Sequence, residues 1–248
     1  MDSNKLDLKV VYLYHSGFAV KTKNHLLIFD YYSKPGTDFN NLITDISPIE
    51  ELEAQNIIVF SSHRHPDHFD KRILDWTEML PNIQYVLSDD IKFGKNINKN
   101  ILFVHFNREY SLDNLEIHTL HSTDEGVAFY IETDGINLYH GGDLNWWHWN
   151  GETKHYNDTM AGQYKHEIDL LKGKKIDVAF LPMDPRLEEN YLLGIDYFIK
   201  TLQPEIVFPM HFGENYKVFD WLNKDDRADN YRPRIQNITH IGETFVIH

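Results

Sequence analysis

The 248 residues include no cysteine, which excludes disulfides, thiolate metal ligands and a cysteine nucleophile. Positive charge is also scarce. Lys and Arg total 24 against 38 Asp and Glu, for a formal net charge of −14. The basic residues are scattered along the chain, so the footprint that nucleic-acid binding needs is missing. No apolar run approaches the ~20 residues of a membrane helix. Residues 1–5 lack the basic and apolar stretches of a signal peptide. The expectation is a cytoplasmic enzyme with a small-molecule substrate and neither a nucleic-acid nor a membrane partner. A metal pair would add positive charge locally, so that substrate could still be anionic.

What the chain does contain describes an ordinary globular protein, 42% hydrophobic and 25% charged. With no repeat, low-complexity tract or composition shift, one domain over residues 1–248 is the simplest organisation. Short β-branched and aromatic runs bounded by turn residues predict strands. They fall at 10–14, 18–21, 26–30, 57–61, 84–87, 101–104, 115–120, 127–133, 136–139, 178–181, 206–209 and 245–248. Apolar spacing predicts helices over 70–79, 164–171, 192–202 and 217–223. Strand-dense halves with interspersed helices point to an α/β (α+β) protein with two sheets sandwiched between helices.

Chemistry is concentrated at His63-Arg64-His65-Pro66-Asp67-His68, an H-x-H-x-D-H pattern that follows an apolar run. Imidazole and carboxylate suit borderline metals such as zinc, manganese or iron. The spacing suggests two ions, with His63 and His65 turned toward one and Asp67 and His68 toward the other. Three further residues stand at the ends of apolar runs, where loops converge to build sites. These are His121, Asp143 after Gly141-Gly142, and His211 after Pro209-Met210. His118 is the rival to His121, but it lies earlier on the strand and on the other face.

The ordered set Asp30, His63-x-His65-x-Asp67-His68, His121, Asp143 and His211 resembles the five motifs of the metallo-β-lactamase-fold hydrolases. Several phrases are similar to the ascorbate-6-phosphate lactonase-like branch of small bacterial metal-dependent hydrolases. They are His15-Ser16-Gly17-Phe18, His121-Ser122-Thr123-Asp124, Tyr139-His140-Gly141-Gly142-Asp143 and Pro209-Met210-His211-Phe212-Gly213. The resemblance implies a four-layer αβ/βα sandwich with a dinuclear centre at one edge. It implies that His63, His65 and His121 hold one ion and Asp67, His68 and His211 the other, with Asp143 bridging. Asp30 would orient a ligand imidazole, and His15 would line the pocket.

The implied activity is hydrolysis by water that two divalent ions activate, most simply zinc, with manganese or iron as options. Asp67 is the candidate to orient the nucleophile and pass a proton to the leaving group. A lactone or other small ester is the expected substrate, and a phosphodiester or phosphorylated molecule the runner-up. A non-catalytic metal-binding protein is a rival from another class. A di-iron oxidoreductase is a third, disfavoured because relatives with that chemistry carry Glu where this chain has His65. Trp146 and Trp147, in the segment that follows Asp143, are candidates for an aromatic wall over the substrate. Arg186 could clamp an anionic group or pair with Asp184 or Glu188.

Overall fold

The computed structural model describes residues 6–34, 56–80, 82–93 and 100–248. Two mixed sheets stack face to face, each with an antiparallel and a parallel portion. The first has the order β13-β1-β2-β3-β4-β5-β6. Its strands are β1 (Leu8–Tyr14), β2 (Gly17–Lys21), β3 (His25–Phe29), β4 (Asn56–Ser61), β5 (Gln84–Ser88), β6 (Ile101–Val104) and β13 (Thr244–Ile247). The second has the order β12-β11-β10-β9-β8-β7. It comprises β7 (Glu109–Leu112), β8 (Leu115–His121), β9 (Val127–Thr133), β10 (Ile136–His140), β11 (Val178–Pro182) and β12 (Ile206–Met210).

Side-chain alternation explains the layering. Val10, Tyr12, Phe18, Leu27, Phe29, Ile58 and Phe60 point inward from the first sheet into one large core. Phe18 meets Phe180 at 4.6 Å between ring centroids, and Phe60 meets Phe129 edge-on at 5.3 Å. The intervening Val11, Leu13, Ala19, Ile28, Ile57 and Val59 form a second core on the outer face with Ile73 and Trp76. Strands buried on both faces read as continuous apolar runs. The second sheet is covered by α1 (Lys154–Asp169) and α2 (Leu193–Leu202). There Tyr139 meets Phe198 at 4.7 Å between ring centroids, and the Tyr164 hydroxyl donates to the Gly194 carbonyl. The result is the αβ/βα sandwich. A short α3 (Lys217–Lys224) follows β12. Among the described residues no helix is long and apolar enough to cross a membrane.

Three elements differ from the sequence expectation. The segment after the metal motif is a 3₁₀ helix, Lys71–Glu78, and not an α-helix. Its two buried residues, Ile73 and Trp76, are three apart and so eclipse on one face. The helix expected over 164–171 begins at Lys154, where Thr153 caps it by accepting the Tyr156 N–H. Its first turns bury only Asn157 and Met160, which left no apolar stripe to read. The strand β7 was missed because it is a short edge strand with an alternately exposed, largely polar sequence.

Candidate metal centre

The centre lies where the ends of the parallel strands of both sheets meet. β4 delivers His63 to His68 in a tight turn, closed by Phe69 and His68 N–H groups donating to the His65 carbonyl. β10 delivers Asp143 through Gly141-Gly142. Gly142 has φ +50°, and a Cβ there would fall 2.6 Å from the Ser62 Cβ. Only glycine lets the two sheets approach this closely. β12 delivers His211, and the β1–β2 turn delivers His15.

The ligand-type atoms fall into two groups, each confined within 4.8 Å: His63, His65 and Asp143, and then His15, Asp67, His68 and His211. Asp143 stands between them. Its Oδ2 is 3.5 Å from His63 Nε2, while Oδ1 is 3.3 Å from His68 Nε2 and 3.2 Å from His211 Nε2. Asp67 Oδ2 is 3.4 Å from His15 Nε2. His15, Asp30 and His211 adopt positive φ values of 54°, 40° and 66°. Such backbone costs about 1 kcal/mol or more per residue and persists only where the surroundings enforce it.

Two buried carboxylates enforce the imidazole orientations. Asp30, fully buried, accepts from the Ser62 N–H and hydroxyl, each at 2.7 Å. Its Oδ2 also lies 2.7 Å from His68 Nδ1, so Nε2 of His68 is turned toward Asp143. Asp184 does the same for His211, at 2.9 Å from its Nδ1. Arg186 in turn grips Asp184 through Nε and Nη2, at 2.8 and 2.5 Å.

Charge is shaped accordingly. His63 is pushed down to about 4, first by burial and then by neighbouring His68. Burial opposes charge on His211 as well, but Asp143 and Asp184 outweigh it and lift the group to about 10. Asp143 is held well below the carboxylate range despite burial, chiefly by His68 and His211. Asp124 moves the other way, raised by burial and then by Asp143.

The residues fit divalent ions. Among the described residues, Nε2 of His63 and of His68 and Oδ1 of Asp143 are buried and have no hydrogen-bond partner. A buried, unsatisfied polar atom costs about 1–3 kcal/mol, and these three converge on the same space. Imidazole and carboxylate donors suit zinc, manganese or iron.

A cavity of about 270 Å³ opens over the centre, bounded by His65, Asp143, Trp147, Trp149, Met160 and Arg186. Trp147 stacks on Trp149 at 6.1 Å, and its Nε1 donates to the Asp143 carbonyl. Arg186 also sits 5.7 Å over the Trp149 ring.

The structure therefore brings together His63, His65, Asp67, His68, Asp143 and His211, and it adds His15 as a member of the second group rather than a mere pocket residue. Asp30 stands where the sequence placed it. His121 does not join. It is exposed, its ring lies 4.1 Å from that of Phe106, and its N–H donates to Glu167. The strand's last residue turns outward because its pairing with Val127 fixes the register. Trp146 likewise faces away, under Lys165 at 4.1 Å, and Trp149 takes its place in the wall. Arg186 pairs with Asp184. Sequence reasoning missed Asp184 as a support of His211 and Asp124 as a cavity residue. Both lie within segments already singled out, but nothing in their spacing separates them from turn carboxylates.

Comparison with known proteins agrees with this geometry. Residues 9–211 match the family described as a beta-lactamase superfamily domain. The metal-dependent hydrolase YtkL of Bacillus subtilis is 25% identical over 265 residues, covering 96% of this chain and 99% of the relative. A metal-dependent hydrolase of Methanosarcina mazei is 25% identical over 239 residues, covering 88% and 87%. Among solved structures, the metallo hydrolase Igni18 of Ignicoccus hospitalis superposes with a TM-score of 0.66 at 17% identity. That match covers 97% of this chain and 98% of the other. With its two sheets, its covering helices and a family match over most of its length, the chain belongs to the metallo-β-lactamase-fold superfamily and is an enzyme.

Proposed function

We propose that this metal-dependent hydrolase cleaves a small-molecule ester or lactone at a centre of two divalent ions. The observation that carries the reading is Asp143, whose two oxygens face the two ligand groups from between them. When bound, the ions would lower the pKa of an attacking water toward ~7 and offset charge on the substrate oxygen.

The residues of the chain supply the rest. Asp30 and Asp184 hold the His68 and His211 rings so that Nε2 of each faces Asp143. Asp67 is partly exposed and lines the cavity on both sides of the centre. It accepts a proton from the attacking water and returns it to the leaving group, as a positioned carboxylate can. Trp147 and Trp149 form an apolar wall that excludes water and orients a flat substrate face. Arg186 is the cation on this wall and would receive a carboxylate or phosphate substituent of the substrate.

The test is metal quantification followed by turnover of lactones, carboxylic esters, phosphodiesters and thioesters. Hydrolysis of lactones or esters that disappears on chelation and returns with metal is the expected result. Turnover confined to phosphodiesters would replace the substrate class. Oxygen-dependent turnover with bound iron would overturn the hydrolytic reading.

A further inference from the structure

The second ligand group offers four side chains besides Asp143. Among the described residues the first offers His63 and His65, because His121 lies outside the cavity with its ring against Phe106. We infer that Asp124, and not His121, supplies the remaining protein ligand of the first metal site. The inference rests on the metal-centre reading above and adds to it the identity of one ligand.

The loop of residues 122–126 is pressed onto the strand end that carries His63. Gly126 has φ +70°, and a Cβ there would fall 1.9 Å from the Ser62 carbonyl oxygen and 2.5 Å from the His63 Cβ. Val127 N–H donates to that same carbonyl at 2.9 Å. On the other side, the Thr123 hydroxyl donates to the Asn145 carbonyl at 2.7 Å, and Asn145 N–H donates back to Thr123 Oγ1 at 3.0 Å. The loop is thereby fixed between the two segments that bear His63 and Asp143.

Within it, Asp124 N–H donates to the Ser122 hydroxyl at 3.1 Å, and the residue is exposed to solvent. Asp124 lines the 270 Å³ cavity together with His65 and Asp143. No hydrogen bond or ion pair from a described residue engages its carboxylate. The adjacent Glu125, which is outside the lining of this cavity, is held by Arg64 through Oε1 at 2.5 Å, and its Oε2 lies 3.5 Å from His65 Nε2. The fully buried Nε2 of His63, without a partner, faces the same space. Bringing His121 inward would instead break its N–H bond to Glu167 and its pairing with Val127. Exchanging an imidazole for a carboxylate makes the first site harder, which favours manganese or iron(II) over zinc there.

The experiment loads the purified full-length protein with Mn(II) and counts ions per chain. Electron paramagnetic resonance then separates a coupled pair of ions from single ones. Wild-type protein and His121→Ala should bind two ions with a coupled signal. Asp124→Asn should bind one and give the spectrum of an isolated ion. Asp124→Glu should restore the second, which also guards against a variant that simply misfolds. A His121→Ala protein that binds one ion, or an Asp124→Asn protein that keeps the coupled pair, overturns the assignment while leaving the metal centre standing. Wild-type protein that takes up no ion overturns the centre itself.

Discussion

In the group of His15, Asp67, His68 and His211, two imidazoles are pinned by carboxylates that are themselves buried and hydrogen-bonded. In the group of His63, His65 and Asp143, the supports are lighter. Among the described residues, His63 Nδ1 has the Ser62 hydroxyl at 3.0 Å, and the half-exposed His65 has Glu125 at 3.5 Å. The same donor chemistry is thus held firmly on one side of Asp143 and loosely on the other. Rigid ligands lose less entropy on binding, so the second group should fill first.

Removing the residue that the groups share would erase the comparison. Asp143→Ala should abolish binding of both ions and hydrolysis together, with circular dichroism showing the fold retained. Metal content and turnover measured on the same sample check this. Two separate changes should sharpen it. Asp30→Asn and Asp184→Asn each remove the negative charge behind one imidazole of the second group. Such losses typically cost about 10–100-fold in metal affinity. Calorimetric titration should show that cost in the tighter binding event and leave the weaker one close to wild type. Equal weakening of both events would mean that the groups are not independently supported.

Arg186→Ala should act on the substrate more than on the ions, raising KM about tenfold for anionic substrates with a smaller change in kcat. Because Arg186 also grips Asp184, Arg186→Lys should recover the support but only part of the substrate effect.

The smallest expected effect comes from a control far from both groups. Asp134 accepts from the Thr22 hydroxyl and from the Asn24 N–H, beside His25 Nδ1 at 3.2 Å. Burial alone would raise its carboxyl, but these bonds hold it at about 2. A depressed carboxyl contributes stability above its unfolded value near 4, and that contribution is lost as pH falls through about 2. Asp134→Asn should cost about 1–2 kcal/mol at neutral pH and flatten the acid limb of thermal stability between pH 4 and 2. Both metal affinities should stay unchanged.

Much of this was legible in the sequence, and for identifiable reasons. Strands buried on both faces, such as Leu8–Tyr14 and Val127–Thr133, announce themselves as apolar β-branched runs. Candidate ligands at the ends of such runs are visible because a His or Asp there has no structural reason to recur. Orientation is another matter. His121 and Asp124 stand three positions apart, and whether either faces the centre depends on the register of β8 against β9 and on the Gly126 turn. The same holds for Trp146 against Trp149, which one segment presents to opposite sides. The support of His211 by Asp184 joins the ends of neighbouring parallel strands β11 and β12, a pairing that chain order alone does not reveal.

Two backbone hydrogen bonds cross between the sheets beside the centre. Val127 N–H donates to the Ser62 carbonyl, and His211 N–H donates to the His15 carbonyl at 3.1 Å. They turn the site into a clasp: the edges of the sandwich cannot part without breaking both bonds and scattering the ligands. These two amides are therefore built-in gauges of sheet separation, exchanging with solvent only when the sandwich opens. An ion bound between the two sheets would slow that opening, so occupancy of the centre could be read from amide protons without any substrate in hand.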